Sequence, residues 1–185
     1  MTMFLPWRPV LLAGGPVPAI ATSVTEAETL ELQRLAADAT QALEVGAAFG
    51  YSAIAMALAG AHVISVDPHA ELGSHPVTGS LAVMRGNLEA YGVADRVTML
   101  VEPSQTALPK LEPGSYDLIF IDGDHVEGTV IHDVEWALKL LRPSGWLCCH
   151  DLDEGTCPGV RAALDRLFDH PQPTVDTLFT YQLPA

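Results

Sequence analysis

Five short runs of almost unbroken apolar character punctuate the chain, at residues 42–45, 63–66, 97–101, 118–121 and 146–149. Runs of this length without polar alternation suit strands covered on both faces. Between them the apolar positions recur at helical spacing. Leu81, Met84, Leu88 and Tyr91 mark one such stretch, and Val126, Val130, Val134, Leu138 and Leu141 another. Ser23 with Glu26, and Thr25 with Glu28, form two overlapping capping boxes that predict a helix over about 25–38. Arg142-Pro143-Ser144-Gly145 supplies a proline stop and a glycine turn after the helix that begins near Val126. A last helix is expected at about 158–169. A strand within 174–183 follows, with room to run antiparallel at a sheet edge. Residues 1–22 are rich in Pro and Gly, show no period, and read as an irregular arm before one domain at 23–185. Alternating strands and helices predict a doubly wound α/β fold, a mostly parallel sheet with helices on both faces.

Composition narrows the partners. The chain has 185 residues, 49% of them hydrophobic, enough for one domain with a full core. Nine Lys and Arg stand against 23 Asp and Glu, a formal charge of −14. So few scattered cations give no footprint for a phosphate backbone, and no nucleic acid is expected as a partner. No membrane is expected either, because anionic lipid repels such a chain and no run of 18 apolar residues exists. The apolar stretch at 10–21 is broken by Pro16 and Pro18 and preceded by a single cation, Arg8, so a secretion signal is not expected. Cys148, Cys149 and Cys157 read as reduced core residues, which suits a cytoplasmic protein. Cys148 and Cys149 are neighbours on a strand and must face opposite sides.

In open α/β sheets ligands bind beyond the carboxyl ends of the strands, so the residues just after each strand carry the chemistry. The first strand runs into Glu44-Val45-Gly46-Ala47-Ala48-Phe49-Gly50-Tyr51-Ser52 and then a helix. Gly46 and Gly50 allow a sharp turn and a close backbone approach to a ligand, or simply a tight turn. The loop is not the G-x-G-x-x-G of dinucleotide enzymes. Asp67, ending the second strand, is placed to accept hydrogen bonds from ribose hydroxyls, or to cap a loop.

These residues carry a resemblance. EVGAAFGYSAIAMA at 44–57 resembles the first motif of class I S-adenosylmethionine-dependent O-methyltransferases, and is especially similar to the catechol O-methyltransferases. YDLIFIDGDHVEGTVIHDVEWALKLLRPSGWLCCHD at 116–151 is similar to bacterial small-molecule methyltransferases, including macrocin O-methyltransferase and cephalosporin-hydroxylase-like proteins. Together the motifs cover about residues 23–168. The resemblance implies S-adenosyl-L-methionine as cofactor, bound through Glu44, Gly46, Ala47, Gly50, Ser52, Asp67, Ser104, Gln105 and Asp122. Glu102-Pro103 departs from the residues usual before that Ser.

The resemblance also implies a divalent cation, Mg²⁺, Mn²⁺ or Zn²⁺, held by Asp122, His150 and Asp151. Metal-dependent relatives carry an acid where this chain has His150. Imidazole favours Zn²⁺, Fe²⁺ or Mn²⁺ over Mg²⁺, so the site suits a softer ion, binds through the two carboxylates alone, or holds none. Asp122 and His125 are the candidate catalytic residues. His125 falls where the catechol enzymes place a lysine base, and an imidazole can take a hydroxyl proton near neutral pH. It can equally cap the next helix. Asp124 is expected to orient His125 or to cap that helix, while His132, Asp133 and Trp136 are expected to pack. His69 reads as a loop residue. The implied reaction is methyl transfer to a hydroxyl of a small-molecule acceptor. A cofactor-binding protein without transfer activity and a nicotinamide-dependent oxidoreductase are the rival readings. The apolar Met1, Met3, Phe4, Leu5 and Trp7 are expected to cover the acceptor pocket or to join a homo-oligomer.

Overall fold

A computed structural model describes residues 6–10, 17–69, 79–153 and 155–185. Its centre is a six-stranded sheet. The strands are β3 (Gln41–Val45), β4 (His62–Val66), β5 (Val97–Leu100), β6 (Tyr116–Ile121), β7 (Leu141–Cys149) and β8 (Phe179–Gln182). They lie in the order β5-β4-β3-β6-β7-β8, all parallel except the antiparallel edge strand β8. The helices are α1 (Glu26–Ala36), α2 (Tyr51–Ala59), α3 (Ser80–Ala90), the short α4 (Ser104–Ala107), α5 (Glu127–Leu140) and α6 (Pro158–Leu167). The doubly wound expectation holds.

The period of two along each strand explains the two cores. On β6, Leu118 and Phe120 join one apolar cluster with α1 and α2, while Ile119 and Ile121 join the other with α5 and α6. Cys148 and Cys149 divide between the clusters in the same way, and burial holds both thiols protonated by raising their pKa values. Thr25 caps α1 with the full box: its hydroxyl accepts from the Glu28 amide at 3.2 Å, and Glu28 accepts from the Thr25 amide at 2.8 Å.

Three local differences have physical causes. Arg142 to Gly145 do not form a free turn but a bulge inside β7, where Pro143 needs no N–H and Ser144 adopts φ 64°. The arm contains a two-residue ribbon, β1 (Trp7–Arg8) against β2 (Ile20–Ala21). The described part of the arm packs on the domain itself. Val10 and Ile20 are buried in the core, and the Tyr91 hydroxyl accepts from the Val10 amide while donating to the Pro18 carbonyl. Met1, Met3, Phe4 and Leu5 lie outside the described residues, and Trp7 is exposed. Among the described residues no helix is long and apolar enough to cross a membrane.

Candidate active site

The chain leaves β3 for β4 on one side and returns to β6 on the other, so a crevice opens between the carboxyl ends of β3 and β6. Asp122 closes it from the β6 side, its amide donating to the Val45 carbonyl at 2.8 Å. The chains approach so closely that a Cβ on Gly46 would collide with the Asp122 carbonyl, and Gly46 has φ 89°. Gly50, at φ 86°, starts α2. A pocket lies here, lined by Gly46, Ala47, Ala48, Phe49, Tyr51, Ser52 and Asp122 and walled by Ala21 and Thr22 of the arm and by Ser23. The arm thus contributes to the pocket while packing on its own core.

Two acids support this loop from different sides. Asp67 Oδ2 accepts from the amides of Ala47 and Ala48 at 2.8 and 2.9 Å, and its Oδ1 accepts from the His69 amide at 2.7 Å. Asp67 therefore fixes the loop conformation with the lone pairs nearest the backbone. Glu44 is fully buried beneath the loop and accepts the hydroxyls of Ser52 and Ser65, each at 2.5 Å. With both oxygens so engaged, Glu44 shapes the loop from below and does not face the pocket. Burial pushes its pKa up to about 7, the charges of Asp122 and Asp67 adding to the effect and the two hydroxyls opposing it. Ser104 and Gln105 open α4 beyond β5. The Ser104 hydroxyl is bonded to Asp133, and neither residue lines the pocket beside Gly46.

The carboxyl ends of β6 and β7 gather the remaining candidates. The His150 amide donates to the Ile121 carbonyl at 3.0 Å, extending the β6–β7 ladder by one bond and setting Asp122, His150 and Asp151 side by side. One ligand atom from each lies within 4.8 Å of the other two. Asp151 is held at φ 61°, a strained conformation for a non-glycine residue. His150 is almost wholly buried. Its Nε2 donates to Glu28 Oε2 at 3.0 Å, and its Nδ1 points between Asp122 Oδ1 and Asp151 Oδ1, 3.3 Å from each, with no hydrogen bond to either. Burial pulls the His150 pKa down, but the carboxylates of Asp122, Asp151 and Glu28 outweigh it and drive the pKa far above the ordinary imidazole value. Burial likewise raises Asp151, and the two histidines more than reverse that, leaving it well below the carboxylate range.

His125 lies within reach of the cluster, its Nε2 2.9 Å from Asp151 Oδ2, and Asp151 raises its pKa against the opposing effect of burial. Asp124 serves the next helix, accepting from the Val126 amide and the Thr129 hydroxyl. His132 pairs with Asp133 and stacks near Trp136, and His69 bonds Ser80, so neither histidine joins the site.

Two residues of the site escape the sequence reading. Glu28 is fully buried; its Oε1 accepts from the Thr177 amide and hydroxyl, both at 2.9 Å, and its Oε2 accepts from His150. Burial alone would raise Glu28, yet His150 and the two backbone donors hold it down to about 2. The capping-box pattern explains Glu28 locally and so conceals its distant partner. Cys157 is the second. It is not a core residue but a half-buried one at the start of α6, with its sulfur beside His125 and Asp151.

Residues 43–152 match the family described as "Methyltransferase domain". The chain is similar to a catechol O-methyltransferase of Mycobacterium tuberculosis, 29% identical over 85% of this chain and 80% of that protein. A catechol O-methyltransferase of Niastella koreensis is 33% identical over 71% of this chain and 58% of its own length. Among solved structures, cofactor-bound Rv0187 from MTB superposes with a TM-score of 0.68 at 26% identity, over 90% of this chain and 83% of that one. The fold is shared with an O-methyltransferase from Bacillus cereus in complex with SAH, at 22% identity and a TM-score of 0.68 over 89% and 84% of the two chains.

Proposed function

The chain belongs to the methyltransferase domain family, as a class I S-adenosylmethionine-dependent O-methyltransferase, and from that premise we propose which of its groups carry the transfer. S-adenosylmethionine binds in the crevice beside Gly46, its methionine part over the Gly46-to-Ser52 loop and its ribose toward Asp67. Ser104 and Gln105 belong to the adenine end, at the mouth of β5. A small molecule with a free hydroxyl enters over Asp122, which lines the crevice and also belongs to the charged cluster. That double membership of Asp122 is the observation that carries the reading.

Because the leaving group is a neutral thioether, the transfer needs mainly alignment of the acceptor oxygen with the S–CH₃ bond. The residues that remain must remove the hydroxyl proton. His125 takes it, stabilised as imidazolium by Asp151 at 2.9 Å. Asp122 orients the acceptor hydroxyl between cofactor and cluster.

The donor set fits a divalent cation. Ligand atoms around an ion with bonds of about 2.1 Å stand about 3 Å apart, close to the 3.3 Å from His150 Nδ1 to each carboxylate oxygen. His150 Nδ1 is buried and lies 3.3 Å from one oxygen of Asp122 and one of Asp151, so an ion there would replace its proton between the two carboxylates, while Nε2 donates to Glu28. Asp122, Asp151 and His150 would hold the ion, Mn²⁺ or Zn²⁺ in preference to Mg²⁺. Bound there, it would supply Lewis-acid lowering of the acceptor hydroxyl pKa.

Incubation of the full chain with methyl-labelled S-adenosylmethionine and a panel of catechols and other small hydroxyl compounds tests the reading. Label is expected on oxygen of at least one acceptor. Tight cofactor binding with no labelled product from any acceptor would leave a cofactor-binding protein and overturn the transfer.

A further inference from the structure

We propose that His125, Asp151 and Cys157 form a soft-metal site for a zinc-type divalent cation, adjoining the Asp122–His150 cluster and sharing its Asp151 carboxylate. One ligand atom from each of the three residues lies within 4.8 Å of the other two. The two oxygens of Asp151 are turned to different donors: Oδ2 faces His125 Nε2 at 2.9 Å, and Oδ1 faces His150 Nδ1 at 3.3 Å. A carboxylate so disposed bridges two positions.

The three donors come from separate segments that the fold fixes against one another. His125 follows β6, Asp151 follows β7, and Cys157 precedes α6. Asp153 Oδ1 accepts from the amides of Gly155, Thr156 and Cys157, holding the turn that delivers the cysteine. Gly159, in the first turn of α6, lies directly against the His125 carbonyl, where a Cβ would collide with it. The backbones bearing His125 and Cys157 are therefore in contact.

One thiolate, one imidazole and one carboxylate make a three-ligand zinc set with a fourth position open. The side chains of His125 and Asp151 are 27% and 18% exposed, so the cluster lies near the surface. The sulfur selects zinc over magnesium. On binding, a metal–sulfur bond forms as the S–H bond breaks, and the thiol proton passes to solvent. Cys148 and Cys149 cannot substitute, since both are sealed in the cores. The proposal rests on donor positions, and with the ion bound His125 is a ligand and no longer the proton acceptor proposed for methyl transfer.

Cobalt(II) serves as the spectroscopic probe. Added to metal-stripped full chain, it is expected to give a thiolate-to-cobalt charge-transfer band that zinc abolishes by displacement. The band should vanish in Cys157→Ser, shift in His125→Gln, and persist in Asp122→Asn, which removes no ligand of the proposed site. Calorimetry should show zinc binding more than about 10-fold weaker in Cys157→Ser. Circular dichroism identifies any variant that fails to fold, and the wild-type band decides the matter even then. Absence of that band, its survival in folded Cys157→Ser, or its loss in folded Asp122→Asn would overturn the proposal.

Discussion

Asp117 and Asp122 stand at opposite ends of β6. Asp117, at the amino end, accepts from the Thr40 and Gln41 amides at 2.9 Å each and pairs with Arg142 at 2.7 Å. Every partner there is complementary, and the group stitches the starts of β3, β6 and β7 together. Asp122, at the carboxyl end, faces a buried histidine that two further carboxylates already surround. Glu44 lies close enough for the Asp122 charge to raise its pKa. The amino end settles its charge; the carboxyl end accumulates it. Accumulated charge is costly to bury, and such cost concentrates where a ligand will later balance it.

The largest effect expected at the carboxyl end comes from Gly46→Ala. The added Cβ meets the Asp122 backbone carbonyl, which cannot swing aside as a side chain could, and φ 89° is strained for alanine. A loss of at least about 2 kcal/mol in denaturant unfolding is expected, with cofactor affinity falling steeply. Unchanged stability and affinity would show that the β3–β6 crevice is looser than described.

A second test concerns Glu44, whose pKa rises from the ordinary 4.5 to about 7 on folding. The native state then holds this proton more tightly than the unfolded chain. Wild-type stability should therefore fall as pH rises from 4.5 to 7, and the cost is complete above 7. Glu44→Gln stays neutral, so it should flatten that part of the profile and exceed wild type above pH 7 by on the order of 3 kcal/mol. Parallel profiles for the two proteins would remove the claim that this end stores unfavourable charge.

Much of this contrast is readable in the sequence, and the unreadable part has a physical character. The strands, their burial on both faces and the Gly46 loop follow from local pattern, because apolar runs and glycine act over a few residues. Asp122, His150 and Asp151 follow from the rule that strand ends converge. Glu28 does not, because its role depends on α1 and Thr177 meeting at His150, 122 residues away in the chain. Cys157 reads as a core residue because composition does not separate a packed thiol from one at a helix start. The bulge at Ser144 is hidden because Pro-Ser-Gly spells a turn equally well, and pairing with Leu183 decides otherwise.

Asp122→Asn and Asp117→Asn, measured side by side, test the central claim most directly. Each removes one charge from the same strand without changing its shape. With labelled S-adenosylmethionine and a turned-over acceptor, Asp122→Asn should lose about 10²- to 10⁴-fold in kcat and remain folded. Asp117→Asn should keep kcat within about twofold while losing about 1 kcal/mol of stability. Equal loss of turnover in both variants, or none in Asp122→Asn, would contradict the assignment of the chemistry to the carboxyl end of the sheet.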